Sequence, residues 1–168
     1  MEGGRSDLLF AMTNRNDPPS YGAQLAKGAT ALTEAWDADP ESSQNHCMLG
    51  HIEEWFYAGL AGIEADSEHI TIRPQPVGDL AWVKAWHDTM QGRVESYWKK
   101  DDVGFELTLR IPANASATVY LPSHSVQHVT ESGRPISHAE GVRFLRQEGS
   151  TLVLEVASGQ YSFRVPQP

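Results

Sequence analysis

Between positions 34 and 55 the chain gathers residue types able to act on a hydroxylated substrate: Glu34, Trp36, His46, His51, Glu53, Glu54 and Trp55. A carboxylate can take a proton from water, an imidazole can hydrogen-bond a hydroxyl, and an indole face can stack on a sugar ring. The adjacent pair Glu53-Glu54 invites a two-carboxylate mechanism, in which one group protonates a leaving oxygen while the other activates water. Neighbouring helical positions diverge by about 100°, so these two cannot flank one bond. His46 and His51 raise the question of a metal, but their spacing matches neither His-Glu-x-x-His nor another strong pattern. No metal and no cofactor is expected. Taken alone, Glu34 is one of 22 acidic residues, and a solvated surface is the ordinary place for it. Trp36, two residues from Glu34, is better placed to meet a ligand than Trp55, whose spacing fits a core.

The elements that must position these residues change character near residue 65. Before it, Met48, Ile52, Trp55, Phe56, Gly59 and Leu60 recur at helical spacing, which predicts one apolar helix face. Ser42 and Ser43 are N-cap candidates for that helix, and Gly62 sits where a C-cap glycine belongs. A second helix is predicted over Leu8 to Thr13, stopped by Asp17-Pro18-Pro19, and a third over Ser20 to Ala26, interrupted by Gly28. Three short helices bury too little to make a domain, so they read as the end of a larger helical structure.

After residue 65 apolar residues alternate. Strands are predicted at 69–73, 80–84, 93–98, 105–111, 117–121, 142–145, 152–156 and 161–165, separated by turn residues such as Gln91-Gly92, Glu131-Ser132-Gly133 and Ser158-Gly159. Many short strands with no helix between them indicate an antiparallel sandwich or barrel. Trp82 and Trp98 fall in these strands and Trp86 just beyond the second; all three are expected in its core, the alternative being that an exposed one serves as a sugar-binding platform.

The 168 residues, 40% hydrophobic and 21% charged, have the composition of a globular chain. The net charge of −9 argues against a nucleic-acid partner, because phosphate binding needs clustered Lys and Arg. Lys99-Lys100 comes nearest to such a cluster and is followed at once by Asp101-Asp102. No apolar run approaches membrane-span length, and Met1-Glu2-Gly3-Gly4-Arg5-Ser6 lacks the apolar core of a secretory signal. The lone Cys47 excludes an internal disulfide.

Three stretches in order carry a family resemblance. Lys27-Gly28-Ala29-Thr30-Ala31-Leu32-Thr33-Glu34-Ala35-Trp36-Asp37 is similar to a Gly-Ala-Thr-Thr-Leu-Trp-Glu-Arg-Trp-Asp segment of bacterial α-L-rhamnosidases. Asn45-His46-Cys47-Met48-Leu49-Gly50-His51-Ile52-Glu53-Glu54-Trp55-Phe56-Tyr57 resembles their Asn-His-x-x-x-Gly-Ser-Val-Gly-Glu-Trp-x-Tyr. Leu60-Ala61-Gly62-Ile63 followed by Ile70-Thr71-Ile72-Arg73-Pro74-Gln75-Pro76 resembles the passage from their helical barrel to their C-terminal sheet domain. Val129 to Pro135 and Ala139 to Val142 continue the likeness.

The resemblance implies an α+β chain: the last helices of an (α/α)6 barrel at residues 1–65, then an antiparallel β-sandwich at 66–168. It implies the C-terminal part of an inverting glycoside hydrolase acting on terminal α-L-rhamnosides, with Glu34 as the base that activates water. His46 would face the sugar and Glu54 would be structural; Trp36, by its nearness to Glu34 and not by the resemblance, is the residue expected to stack on that sugar. Thr33 stands where the family carries an aromatic residue. The general acid of the family lies in an acidic loop earlier in the barrel, and this chain has no counterpart upstream of Glu34. The polypeptide alone is therefore expected to be inactive, with rhamnose-containing glycosides as ligands of the parent enzyme. Its open helical face is expected to drive self-association. The alternative is a stand-alone β-sandwich acting as an accessory or carbohydrate-binding module.

Overall fold

The structure, a computed structural model, describes residues 4–167. The opening residues up to Gly3, part of the stretch tested above for a secretory signal, lie outside the described residues. The chain divides into two compact units, Met1–Phe56 and Tyr57–Pro168.

In the first unit, helix α1 spans Ser6–Thr13 and helix α2 spans Tyr21–Ala26. Both lie where the sequence puts them. Proline cannot continue a helix, and the break between them holds Pro18-Pro19, joined by a cis peptide. Ser20 caps α2, its Oγ accepting from the Ala23 N–H at 3.0 Å. From there to residue 51 the backbone is irregular.

The long helix predicted from Met48 is shorter and later. A single α-turn, α3 (Ile52–Glu54), runs directly into a π-helix over Trp55–Ala61. Ser42 and Ser43 do not cap it, because their polar groups are engaged within the preceding loop. A π-helix closes its hydrogen bonds at i+5, so positions four apart no longer line up on one face. Trp55 is buried while Phe56 beside it is 44% exposed, and Met48, which precedes the helix, is 60% exposed. The (α/α)6 barrel implied by the resemblance is not formed by the described residues. This unit holds two short α-helices, a long loop and the α–π segment.

The second unit is a two-layer β-sandwich. One sheet contains β1 (Ile63–Ala65), β2 (Ile70–Ile72), β6 (Ala117–Leu121), β10 (Thr151–Val156) and β9 (Val142–Glu148), in that spatial order. The other contains β3 (Trp82–Thr89), β4 (Gly92–Asp101), β5 (Gly104–Ile111), β11 (Gly159–Pro166), β7 (Thr130–Glu131) and β8 (Arg134–Pro135). Every pairing is antiparallel except β2 with β6. All the predicted strands are present; β1, β7 and β8 are additional and only two or three residues long.

Alternating residues fill the space between the sheets. Ile72, Val119, Leu121, Leu152 and Leu154 from one layer share a cluster with Val94, Trp98, Leu107, Leu109 and Phe163 from the other. Trp98 is fully buried, but Trp82 and Trp86 are 61% and 53% exposed, contrary to expectation. The register explains the split. Val83, Ala85 and His87 pair with the inward residues Trp98, Ser96 and Val94, so the intervening Trp82 and Trp86 must point outward.

The end of the π-helix belongs to this second unit. The Trp98 indole N–H donates to the Leu60 carbonyl at 2.6 Å and the Ser96 hydroxyl to that of Ala61 at 2.7 Å. Gly62 then turns the chain into β1 at φ +72°, where a Cβ would fall on the backbone of Arg73 and Pro74. Only glycine fits that crossing.

Candidate active-site loop and its relatives

Residues 27–50 have no ladder of their own, so side chains must hold them. Helix α2 supplies two of these ties. Gln24, only 5% exposed, donates from Nε2 to Thr33 Oγ1 at 2.6 Å, and the Thr33 hydroxyl donates onward to the Ala35 carbonyl at 2.7 Å. The buried amide and hydroxyl satisfy one another, as polar groups removed from water must. Tyr21 makes the second tie. Its hydroxyl donates to the Leu49 carbonyl at 2.7 Å, and its ring meets Trp36 edge-to-face at 4.9 Å between centroids, a favoured aromatic arrangement. Burial raises the Tyr21 hydroxyl above its ordinary pKa, which keeps it a proton donor. Sequence reasoning overlooked Tyr21 and Gln24. Thr33 registered only as a departure from the family pattern, although it fastens the segment carrying Glu34.

Two stretches of the loop run side by side. His46 N–H donates to the Leu32 carbonyl at 2.8 Å and Glu34 N–H to the Ser43 carbonyl at 3.0 Å. The Ser43 N–H returns to Glu34 Oε2 at 3.2 Å. Glu34 and His46 are thereby held on two paired segments, while Trp36 follows Glu34 and packs on Tyr21. The Glu34 side chain is exposed; among the described residues the bond from Ser43 is the one that orients its carboxylate, and it leaves Oε1 open.

His46 is half-buried, and its Nδ1 accepts from the Met48 N–H at 3.0 Å. That bond assigns the neutral ring's proton to Nε2, leaving Nε2–H as a donor. The imidazole both caps the local turn and keeps one polar edge for another partner. Asp39 lies near in sequence but is spent on structure. Its Oδ1 accepts from the Ser42 hydroxyl and from the Ser42 and Glu41 N–H groups, and these bonds hold its carboxyl below the usual range. Glu53 and Glu54 are exposed on the α-turn. Trp55 is a packing residue: it is 3% exposed, and its indole donates to Ser6 Oγ at 2.9 Å. Beside the loop, an apolar hollow of about 570 Å³ is lined by Tyr21, Leu25, Leu32, Ile52 and Phe56, among others.

Comparison with known proteins bears on both units. Residues 1–60 match the family described as bacterial alpha-L-rhamnosidase 6 hairpin glycosidase domain, and residues 59–134 the bacterial alpha-L-rhamnosidase C-terminal domain. An alpha-L-rhamnosidase of Streptomyces avermitilis is 32% identical over 96% of this chain, and one of Alteromonas sp. (strain LOR) is 27% identical over 98%. The chain spans only 16% and 18% of those two proteins. The crystal structure of the Streptomyces avermitilis enzyme complexed with L-rhamnose superposes with a TM-score of 0.84 at 31% identity, covering 96% of this chain and 16% of that one. The alpha-L-rhamnosidase of Dictyoglumus thermophilum gives 0.84 at 30% identity, covering 96% and 19%. Two consecutive family domains, met in order along one chain and supported by fold and sequence together, establish that this chain belongs to the bacterial α-L-rhamnosidase family, of which it matches the C-terminal portion.

Proposed function

We propose that this chain supplies the water-activating side of an inverting α-L-rhamnosidase site, with Glu34 as general base, and that the 168-residue polypeptide turns over no glycoside alone. The observation that carries this reading is the pairing of residues 32–34 with 43–46. It presents an exposed carboxylate with one oxygen open on the segment beside that of an imidazole whose Nε2–H is available. Inverting hydrolysis needs a base on one face of the sugar and an acid on the other, separated by room for water. Glu34 would take the proton from that water, His46 would donate to a sugar hydroxyl, and Trp36 would offer its ring. On this reading the acid on the opposite face comes from another part of the catalytic domain. Without protonation of the leaving oxygen, catalysis loses a factor on the order of 10²–10⁴, and more through lost positioning of sugar and water.

The apolar hollow lined by Leu25, Leu32 and Phe56 is on this reading the seat for the remainder of the catalytic domain. With that seat empty, the polypeptide is expected to self-associate. A chimera tests the assignment. The matching segment of the Streptomyces avermitilis enzyme is replaced by this chain and hydrolysis of an aryl α-L-rhamnoside is measured. The chimera should turn over, Glu34→Gln should lower kcat by about 10²-fold or more, and the free polypeptide should show no turnover. An unchanged kcat in Glu34→Gln would remove Glu34 from the mechanism.

A further inference from the structure

The outer face of the six-stranded sheet has no role in the reading above, yet it carries the most exposed indoles of the molecule. Trp82, Lys84 and Trp86 alternate outward along β3, an edge strand. Across the ladder, Lys84 pairs with Tyr97 and Trp86 with Glu95, and the next strand adds Thr108 and Arg110. A hollow of about 230 Å³ opens between Trp86, Tyr97, Thr108, Arg110 and Gln160. Indoles four residues apart on a strand lie ~13 Å apart, a separation that suits a chain of sugar rings better than a single small molecule.

The Trp86 ring is oriented by its neighbours without being covered. Arg93 sits 5.8 Å from its centroid, a cation–π distance, and is itself fixed by two bonds to Asp88 at 2.7 and 3.0 Å. The other cations of this face are neutralised in the same way: Lys99 and Arg164 by Glu106, and Arg110 by Glu95. Lys84 differs. Among the described residues it has no ion pair, and it stands between the two exposed indoles. The unmatched Lys84 ammonium is complementary to an anionic group placed directly against it, while the net charge of −9 repels polyanions at longer range, so the contact is local; the flanking indoles require the ligand to offer apolar ring faces as well. A pyranose carrying a carboxylate meets both conditions. The same lysine, centred on an edge strand, opposes pairing with another strand, which weighs against a protein partner docking by sheet extension.

We propose that the outer face of β3 and β4 binds a uronate-bearing polysaccharide, with Trp82 and Trp86 stacking on sugar rings and Lys84 pairing with a carboxylate. Nothing in this assignment depends on Glu34, and its test involves no hydrolysis. The full chain is run through native gels containing polygalacturonate, dextran sulfate or neutral dextran, and its mobility is compared with that in a blank gel. Polygalacturonate should retard it and neutral dextran should not. The double variant Trp82→Ala/Trp86→Ala should weaken retention at least tenfold. Lys84→Met, which alters only an exposed side chain, should abolish the preference for polygalacturonate over dextran while leaving the circular dichroism unchanged. Several results would overturn the assignment: no retention, equal retention by neutral dextran, retention by dextran sulfate alone, retention indifferent to Lys84, or concentration-dependent dimers that Trp82→Ala/Trp86→Ala dissolves.

Discussion

The sheet unit and the helical unit are held together by different means. In the sheet unit, alternating strands close a core around Trp98, Leu107, Val119, Leu154 and Phe163, and among the described residues its buried polar groups are only Ser96 and Ser123. In the helical unit the buried hydrophobic residues are Ala23, Leu49 and Trp55, against the buried polar Ser6, Ser20, Gln24 and Thr33. Its larger apolar residues Leu8, Met12, Leu25 and Met48 stand 49–70% exposed. One unit owes its order to apolar area removed from water; the other owes it to a few hydrogen bonds that pin a loop. A hydrogen bond contributes about 1 kcal/mol net, and far more is lost when one buried partner is left alone. The loop bearing Glu34 therefore has definite geometry with little cooperative support behind it.

The largest expected effect breaks the sheet side. Trp98→Ala removes the largest fully buried side chain together with its bond to the Leu60 carbonyl. It should destabilise the sandwich by about 3–5 kcal/mol, read as a lower midpoint in urea by circular dichroism. A cost under 1 kcal/mol would mean that the core tolerates voids and that the contrast between the units is overstated. Next comes the polar tie. Thr33→Val removes the 2.6 Å acceptor of the buried Gln24 amide and leaves it only the Ala35 carbonyl at 3.5 Å, at a cost of about 1–3 kcal/mol, and this should appear only locally. Amide exchange should quicken over residues 32–46 while β5 and β10 stay protected. Loosening of both regions would show that the units unfold as one.

The contrast also marks what the sequence could reveal. Helices α1 and α2 were legible because their ends are written in residue chemistry: a diproline stop after the first and Gly28 after the second. Eight of the strands were legible from period-two alternation. That alternation does not say which phase faces inward, so Trp82 and Trp86 looked as internal as Trp98. Only the pairing of Val83 with Trp98 and of Ala85 with Ser96 decides the phase. In β1, β7 and β8 two or three residues give too little of a period, and β2, no longer than β1, was caught only through the alternating stretch 69–73 around it. The π-helix was misread as a regular amphipathic helix because the apolar spacing from Ile52 to Leu60 suits either. Around the candidate site, Glu34 and His46 came from a motif and Trp36 from its nearness to Glu34, whereas Tyr21, Gln24 and Thr33 act through contacts 9 to 28 residues distant, which local spacing does not encode.

A smaller effect is expected at the start of α2. Ser20→Ala removes the acceptor for the Ala23 N–H and should cost about 1 kcal/mol. Because Tyr21 and Gln24 ride on this helix, the loss should pass to the loop. Exchange at Ser43 and His46, whose N–H groups close the paired segments, should rise in Ser20→Ala by less than in Thr33→Val. A larger rise would make the cap, and not the Gln24–Thr33 bond, the main anchor of Glu34.

The smallest effects, in acid, sharpen the comparison most directly, since each unit contains the same small device. Asp39 Oδ1 accepts from the Ser42 hydroxyl and the Ser42 and Glu41 N–H groups; Asp101 Oδ1 accepts from the N–H groups of Val103 and Gly104 in the β4–β5 turn. These bonds hold both carboxyls below the ordinary 3.8. A carboxyl depressed on folding contributes stability that is fully present above its unfolded pKa and is lost as pH falls through the folded value. Both aspartates are exposed, so each contribution is small. They differ in what the turn is attached to. The Asp101 turn joins two long central strands, so Asp101→Asn should flatten part of the acid dependence of global unfolding. Asp39 closes a loop that the sheet core does not feel, so Asp39→Asn should leave that dependence unchanged and alter only exchange near Glu34. Thermal unfolding followed from neutral pH downward through 3.8 distinguishes the two. Equal shifts in both variants would mean that the loop is bound into the cooperative core after all, and that the division drawn between hydrogen-bonded site and packed scaffold is wrong.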